Sequence, residues 1–167
     1  MGLAEDLLEQ ARFLADREPR RPRQASLRRA VSAAYYALFH LLVDEAATRL
    51  SPRKPETLRN LVHRAFAHAE MKAACKLFLR RDLPAHLASM IVAPVALDLI
   101  VVAQTFVDLQ EARHVADYDV SATLLRAEVR ELLGDAELAF QAWARIRGTP
   151  NANVFLAAML LDKKWAK

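Results

Sequence analysis

Apolar residues recur along this chain at intervals of three and four, the repeat of a helix that buries one face, and almost nowhere alternate as in a half-buried strand. Leu3, Leu7, Ala11 and Leu14 predict a first amphipathic helix over about Leu3 to Asp16, closed off by Pro19, which cannot supply a backbone N–H. The stretch Arg17 to Arg23, with Pro19 and Pro22, reads as an exposed basic loop. A long second helix is predicted from Gln24 or Ala25 to Leu50, before Ser51-Pro52. Its apolar face carries Leu27, Val31, Ala34, Leu38, Leu42 and Ala46, with Tyr35 and Phe39 beside it. Pro55-Glu56-Thr57 has the form of a helix start, and a third helical region runs from there to about Arg81. Its apolar face passes from Leu58, Leu61, Val62, Ala65 and Phe66 to Ala74, Cys75, Phe78 and Leu79, so it is one helix or two with a break near His68 to Met71.

A fourth helix is predicted from about Ala93-Pro94 to Arg113, with a start near Ala85 and a proline kink as the competing reading. Asp119 or Ser121 can cap a fifth, carried by Leu125, Val129, Leu132, Leu133, Ala136, Phe140 and Trp143 to about Arg147 and stopped by Gly148-Thr149-Pro150. Asn151 or Asn153 then caps a last short helix with Val154, Phe155, Leu156, Met159 and Leu160, ending in Lys163, Lys164 and Lys167. The expectation is an all-α chain: an up-down bundle of five to six helices over residues 1–150, and a C-terminal helix over 151–167 that packs on the bundle or on a partner subunit.

Composition narrows the chemistry. At 167 residues and 54% hydrophobic, the chain can bury a real core as one domain. Glycines stand only at 2, 134 and 148, which excludes a glycine-rich phosphate loop. The single cysteine, Cys75, excludes an intramolecular disulfide, argues for a reducing compartment and reads as a small buried hydrophobe. The acidic start Met1-Gly2-Leu3-Ala4-Glu5-Asp6 does not resemble a secretory signal, and the most apolar stretch, Met90 to Val107, is interrupted by Pro94, Asp98 and Gln104. It is expected to be a buried core helix in a cytoplasmic protein with no membrane partner. No His, Asp and Glu set recurs at ligand spacing, so neither metal nor cofactor is expected.

The formal charge of +4 is modest, yet it is concentrated in Arg17, Arg20, Arg21, Arg23, Arg28 and Arg29 and again in Arg49, Arg53, Lys54, Arg59 and Arg64. Such clusters follow a phosphate backbone, dock an acidic partner or simply form a solvated surface. The stripe Leu99, Val102, Phe106 and Leu109 continues to Arg113, which places a guanidinium on a buried face near a helix end. A charge there needs a partner or a ligand, and Asp117 and Tyr118 are close enough along the chain to be the partner.

Two segments taken together, Arg29-Ala30-Val31-Ser32-Ala33-Ala34-Tyr35-Tyr36-Ala37-Leu38-Phe39-His40 and Arg113-His114-Val115-Ala116-Asp117-Tyr118-Asp119, resemble the HEPN superfamily. The likeness is to small prokaryotic members with an Ala-Tyr-Tyr-Ala-x-Phe-His helix and an Arg-x-x-Ala-Asp-Tyr turn, and in helix order it spans roughly residues 3 to 145. The resemblance implies an up-down bundle that forms a homodimer through its long helices with polar residues at the cleft. Many members are metal-independent ribonucleases of toxin–antitoxin, abortive-infection and CRISPR systems, often encoded beside a nucleotidyltransferase. The implied partners are a second copy, a nucleotidyltransferase-type protein, and RNA or a nucleotide. The family's catalytic signature places a histidine after an arginine, with about four to six residues between. Counted from Arg113, those positions are Tyr118, Asp119 and Val120, while His114 is adjacent; Arg59 with His63 and Arg64 with His68 are each one residue short.

RNA cleavage by the 2′-hydroxyl needs a base that works near neutral pH and a cation for the developing phosphorane charge. Arg113 suits the second task, Asp117, Tyr118 and His40 are the remaining catalytic candidates, and His40 or His114 can stand in for the missing histidine if the bundle brings either beside Arg113. Arg28, Arg29, Arg113 and His114 are the candidate nucleic-acid or nucleotide contacts. Tyr35, Tyr36 and Phe39 are expected as core or dimer contacts, and His40 equally as a core histidine. Two functions compete. One is a toxin-like or accessory component of a toxin–antitoxin or defence module. The other is a non-catalytic protein-interaction module in which the Arg-x-x-Ala-Asp-Tyr segment is structural.

Overall fold

The computed structural model describes residues 2–50 and 56–165, and over these the chain is all-α. Eight helices stand among the described residues: α1 (Leu3–Asp16), α2 (Gln24–Leu50), α3 (Glu56–Ala65), α4 (His68–Phe78), α5 (Ala85–Ala88), α6 (Leu97–Tyr118), α7 (Arg126–Ile146) and α8 (Pro150–Trp165). The count exceeds the five or six expected. The third helical region splits where Ala67 takes an extended backbone, just ahead of the expected break at His68 to Met71, and Pro84 opens a separate single turn. The expected stop at Ser51-Pro52, the Pro55 helix start, the cations Arg53 and Lys54, and Lys167 lie outside the described residues.

By its internal contacts the chain divides into two compact units, Met1–His40 with Thr105–Gln141, and Leu41–Gln104 with Ala142–Lys167. In the first unit α2 buries the predicted Leu27, Val31, Ala34 and Leu38, and Tyr35 is sealed against Phe106 at 5.6 Å between ring centroids. Helix α1 is rotated from the predicted face: Ala4, Leu8, Ala11 and Ala15 are buried while Leu3 is exposed. Small alanine side chains on that face permit a closer helix approach than leucines would. Polar contacts tie α1 and the following basic loop to α7: Arg12 pairs with Glu137, Arg130 with Asp16, and Arg126 donates to the carbonyls of Glu18 and Pro19. Gln24 exchanges two 2.9 Å hydrogen bonds with the backbone of Leu124.

In the second unit α8 packs along α4, with Phe78 edge-on to Phe155 at 5.0 Å and Lys163 paired with Glu70. Leu42, Ala46, Ala74, Cys75 and Phe78 are buried as the pattern predicts. Helix α3 differs, because none of its residues is buried and Leu58 and Leu61 face solvent. The apolar stretch from Met90 also departs from a continuous core helix: Met90, Val92 and Leu97 are exposed, and burial begins only at Leu99, after the break around Pro94. Helix α7 starts beyond the exposed Leu125. At the start of α8, Thr149 Oγ1 accepts the Ala152 N–H at 3.3 Å, while the expected cap Asn151 instead brackets the backbone N–H and carbonyl of Val92. No helix among the described residues is long and apolar enough to cross a membrane.

Candidate functional site

Within the first unit, α2 interrupts its apolar pattern with a polar stripe at helical spacing, Arg28 or Arg29, then Ser32, then Tyr36. Helix α6 faces it with Arg113 and Asp117, four residues apart and therefore on one side. Helix α6 extends past Arg113 to Tyr118, so the Arg-x-x-Ala-Asp-Tyr segment is the last part of a helix and not the turn expected; the turn comes after it. Between the two helices lies an open cavity of about 520 Å³ lined by Ala25, Arg28, Arg29, Ser32, Tyr36, Arg113, Ala116, Asp117 and Tyr118.

Arg113 is the centre of this cavity. Its Nε lies 2.7 Å from Asp117 Oδ2, an ion pair held by charge without a well-directed hydrogen bond, and its Nη2 donates to the Tyr36 hydroxyl at 3.0 Å. The guanidinium carbon stands 5.7, 5.4 and 5.7 Å from the ring centroids of Tyr35, Tyr36 and Tyr118, distances at which the negative ring faces attract a cation. Burial acts most strongly and lowers the pKa of Arg113, but Tyr36, Asp117, Tyr118 and Tyr35 together outweigh it, so the pKa is raised and the charge is permanent. Asp117 also accepts a 2.6 Å hydrogen bond from Ser32, a further link between α6 and α2.

The other two arginines differ sharply. Arg28 is spent on the fold: Nη1 donates to the carbonyls of Ala116 at 2.8 Å, Asp119 at 2.9 Å and Val115 at 3.4 Å, and Nη2 to Ala122 at 2.5 Å. Ala116 is among the last carbonyls of α6, Val115 O also accepts the Asp119 N–H at 3.0 Å, and Asp119 and Ala122 belong to the turn beyond, so Arg28 ties the helix end to that turn, where the negative end of the dipole favours a cation. The turn beyond is fixed by Asp119, whose carboxylate accepts from the Ser121 hydroxyl at 2.6 Å and from the backbone N–H groups of Ser121 and Ala122. Arg29, one residue on, is exposed and meets no acceptor among the described residues.

The structure thus brings Arg28, Arg29, Arg113, Asp117 and Tyr118 to one cavity. His114 lies outside its wall, exposed, with its ring 5.1 Å from that of Tyr118. His40 follows Tyr36 by one turn and rests against the rings of Tyr36 and Phe39, also outside the wall. Ser32 is not a candidate in the sequence and Tyr36 is expected there, like Tyr35, as a core or dimer contact; Tyr35 is fully buried, whereas Tyr36 is half-buried and lines the cavity. The signal for both was the polar stripe on α2, legible only once a second polar pair on α6 is known to face it. In the second unit His63 lies 3.0 Å from Asp44 beside Arg59, away from any of these groups in sequence. No cluster of His, Cys, Asp or Glu able to hold a metal ion occurs among the described residues.

Comparison with protein-family models, curated proteins and solved structures finds no match to this chain.

Proposed function

We propose that this is a HEPN-like helical protein of nucleic-acid or nucleotide biology, an accessory or toxin-like component of a toxin–antitoxin or defence module, that binds a phosphate-bearing ligand in the Arg113 cavity. The observation that carries the reading is the charge balance of that cavity: three arginines face it against the single carboxylate of Asp117. Arg29 contributes an unengaged cation at the rim, and Arg113 a permanent one held in place by Asp117 and Tyr36. Binding without cleavage fits better than catalysis. A 2′-hydroxyl attack needs a proton acceptor beside the cation, yet the carboxylate present is already engaged by Arg113 and Ser32, and neither His40 nor His114 lines the wall. A homodimer and a nucleotidyltransferase-type partner belong to the same reading and rest on the family resemblance alone.

The test is fluorescence anisotropy of a labelled mixed-sequence RNA in excess EDTA, followed by electrophoresis of the same sample. We expect binding that weakens as salt rises and no shortening of the strand. Arg29→Ala should weaken binding and reduce the steepness of the salt dependence by about one charge. Strand cleavage lost in Arg113→Ala would restore the ribonuclease reading, and absence of binding at low salt would remove this one.

A second reading is favoured by the way Arg28, Ser32 and Asp117 are consumed internally. In it the cavity is architecture, and the exposed arginines dock an acidic protein segment. Under this reading Arg29→Ala leaves RNA binding unchanged.

A further inference from the structure

We infer that His114 and Tyr118 form an exposed stacking platform for a nucleobase at the mouth of the Arg113 cavity, so that the ligand is a base-bearing phosphate ester. The inference deepens the phosphate-binding reading above and rests on it. Helix α6 carries the two residues four apart, which puts both rings on one side of its last turns. Their centroids are 5.1 Å apart at an interplanar angle of 49°, and Tyr118 remains 64% exposed. Tyr118 is shared between two surroundings: it lines the cavity, with the Arg113 guanidinium 5.7 Å from its centroid, and it touches His114 outside. The contrast is with Tyr35, whose ring meets the same guanidinium but is closed off by Phe39 and Phe106.

A large ring left in water beside a cluster of cations is complementary to a ligand that is flat and apolar at one end and anionic at the other. A nucleotide has that form, with one sugar between its base and its phosphate. Phosphate alone would use the arginines and leave the rings wet. Every base has a π-face, so a platform of this kind takes single strands with little regard to sequence, whereas a duplex hides its bases.

The experiment compares, by anisotropy, a labelled single-stranded oligoadenylate of about ten nucleotides with an abasic strand of the same length and charge. The wild type should prefer the base-bearing strand, and Tyr118→Ala should reduce that preference about tenfold, within the range one stacked base is worth. Tyr118→Phe, which keeps the ring, should restore it; circular dichroism establishes that both variants are folded. Competition with AMP against ribose 5-phosphate separates a free nucleotide from a strand as the source of the base. Either source supports the platform if AMP or the base-bearing strand binds better than its baseless counterpart. Equal binding of base-bearing and abasic ligands overturns the platform and leaves the phosphate cavity standing. No binding of either strand overturns both. An unchanged preference in Tyr118→Ala overturns the assignment to this ring.

Discussion

Asp117→Ala is the perturbation that probes most of the site at once, because this carboxylate holds the Arg113 cation on its own helix and the Ser32 hydroxyl on α2. Breaking a fully buried ion pair by removing one partner costs about 3–5 kcal/mol, whereas an exposed pair is worth about 0.2–1 kcal/mol. Here the side chains of Arg113 and Asp117 retain 18% and 22% of their exposure, and three tyrosine rings remain to the guanidinium, so the pair lies toward the lower part of that interval. Ser32 is buried and loses its charged acceptor, which adds a cost of about 1 kcal/mol or more. The sum is about 2 kcal/mol, equivalent to a fall in melting temperature of about 4–8 °C for a chain of this size. Asp117→Asn keeps an acceptor for Ser32 and should lose about half as much. Thermal unfolding followed by circular dichroism at neutral pH reads the effect, and the Arg113→Met/Asp117→Ala double-mutant cycle isolates the pair. A melting temperature within about 1 °C of wild type for Asp117→Ala would show that the network contributes nothing to the fold, and the argument from geometry would fail.

Three further outcomes follow from neighbouring features. Arg28→Met should lower stability by about 1–2 kcal/mol, since it strips the carbonyls of Ala116 in α6 and of Asp119 and Ala122 in the following turn of their side-chain donor, and should do so more than Arg29→Met; urea unfolding of the two variants compares them. The hydrogen bonds from Ser121, then those from the backbone, hold the Asp119 carboxyl below its ordinary pKa, so the stability it confers is present above the unfolded value and lost as pH falls through the folded one. Ser121→Ala should move the Asp119 carboxyl back upward in an NMR titration. Cys75 is fully buried, and burial pushes its thiol well above the ordinary range; a thiol reagent at neutral pH should label it only after denaturant is added.

The helical class and the long spans were legible in the sequence because they depend on local rules. The period of Leu27, Val31, Ala34, Leu38, Leu42 and Ala46, and prolines at 19, 22 and 84, bounded α1 and α2 as the structure has them and marked the end of the third region. Arg113 was legible for the same kind of reason, a charge at a position in an apolar stripe, and Asp117 as a carboxylate close to it along the chain. What the sequence could not determine was which of several equally regular faces would be covered. Helix α1 turned its alanines inward in place of Leu3, α3 left Leu58 and Leu61 in water, and the apolar residues from Met90 to Leu97 stayed outside the core. Those outcomes depend on which helix lies alongside, information carried by residues far away in the chain. The site shows the same division. Its charged members are visible one by one, but that Arg28 would be used up on the carbonyls at the end of α6 and in the turn beyond while Arg29 stayed open, and that Ser32 and Tyr36 would join Arg113, follows from the juxtaposition of α2 and α6, because hydrogen bonds are satisfied by neighbours in space.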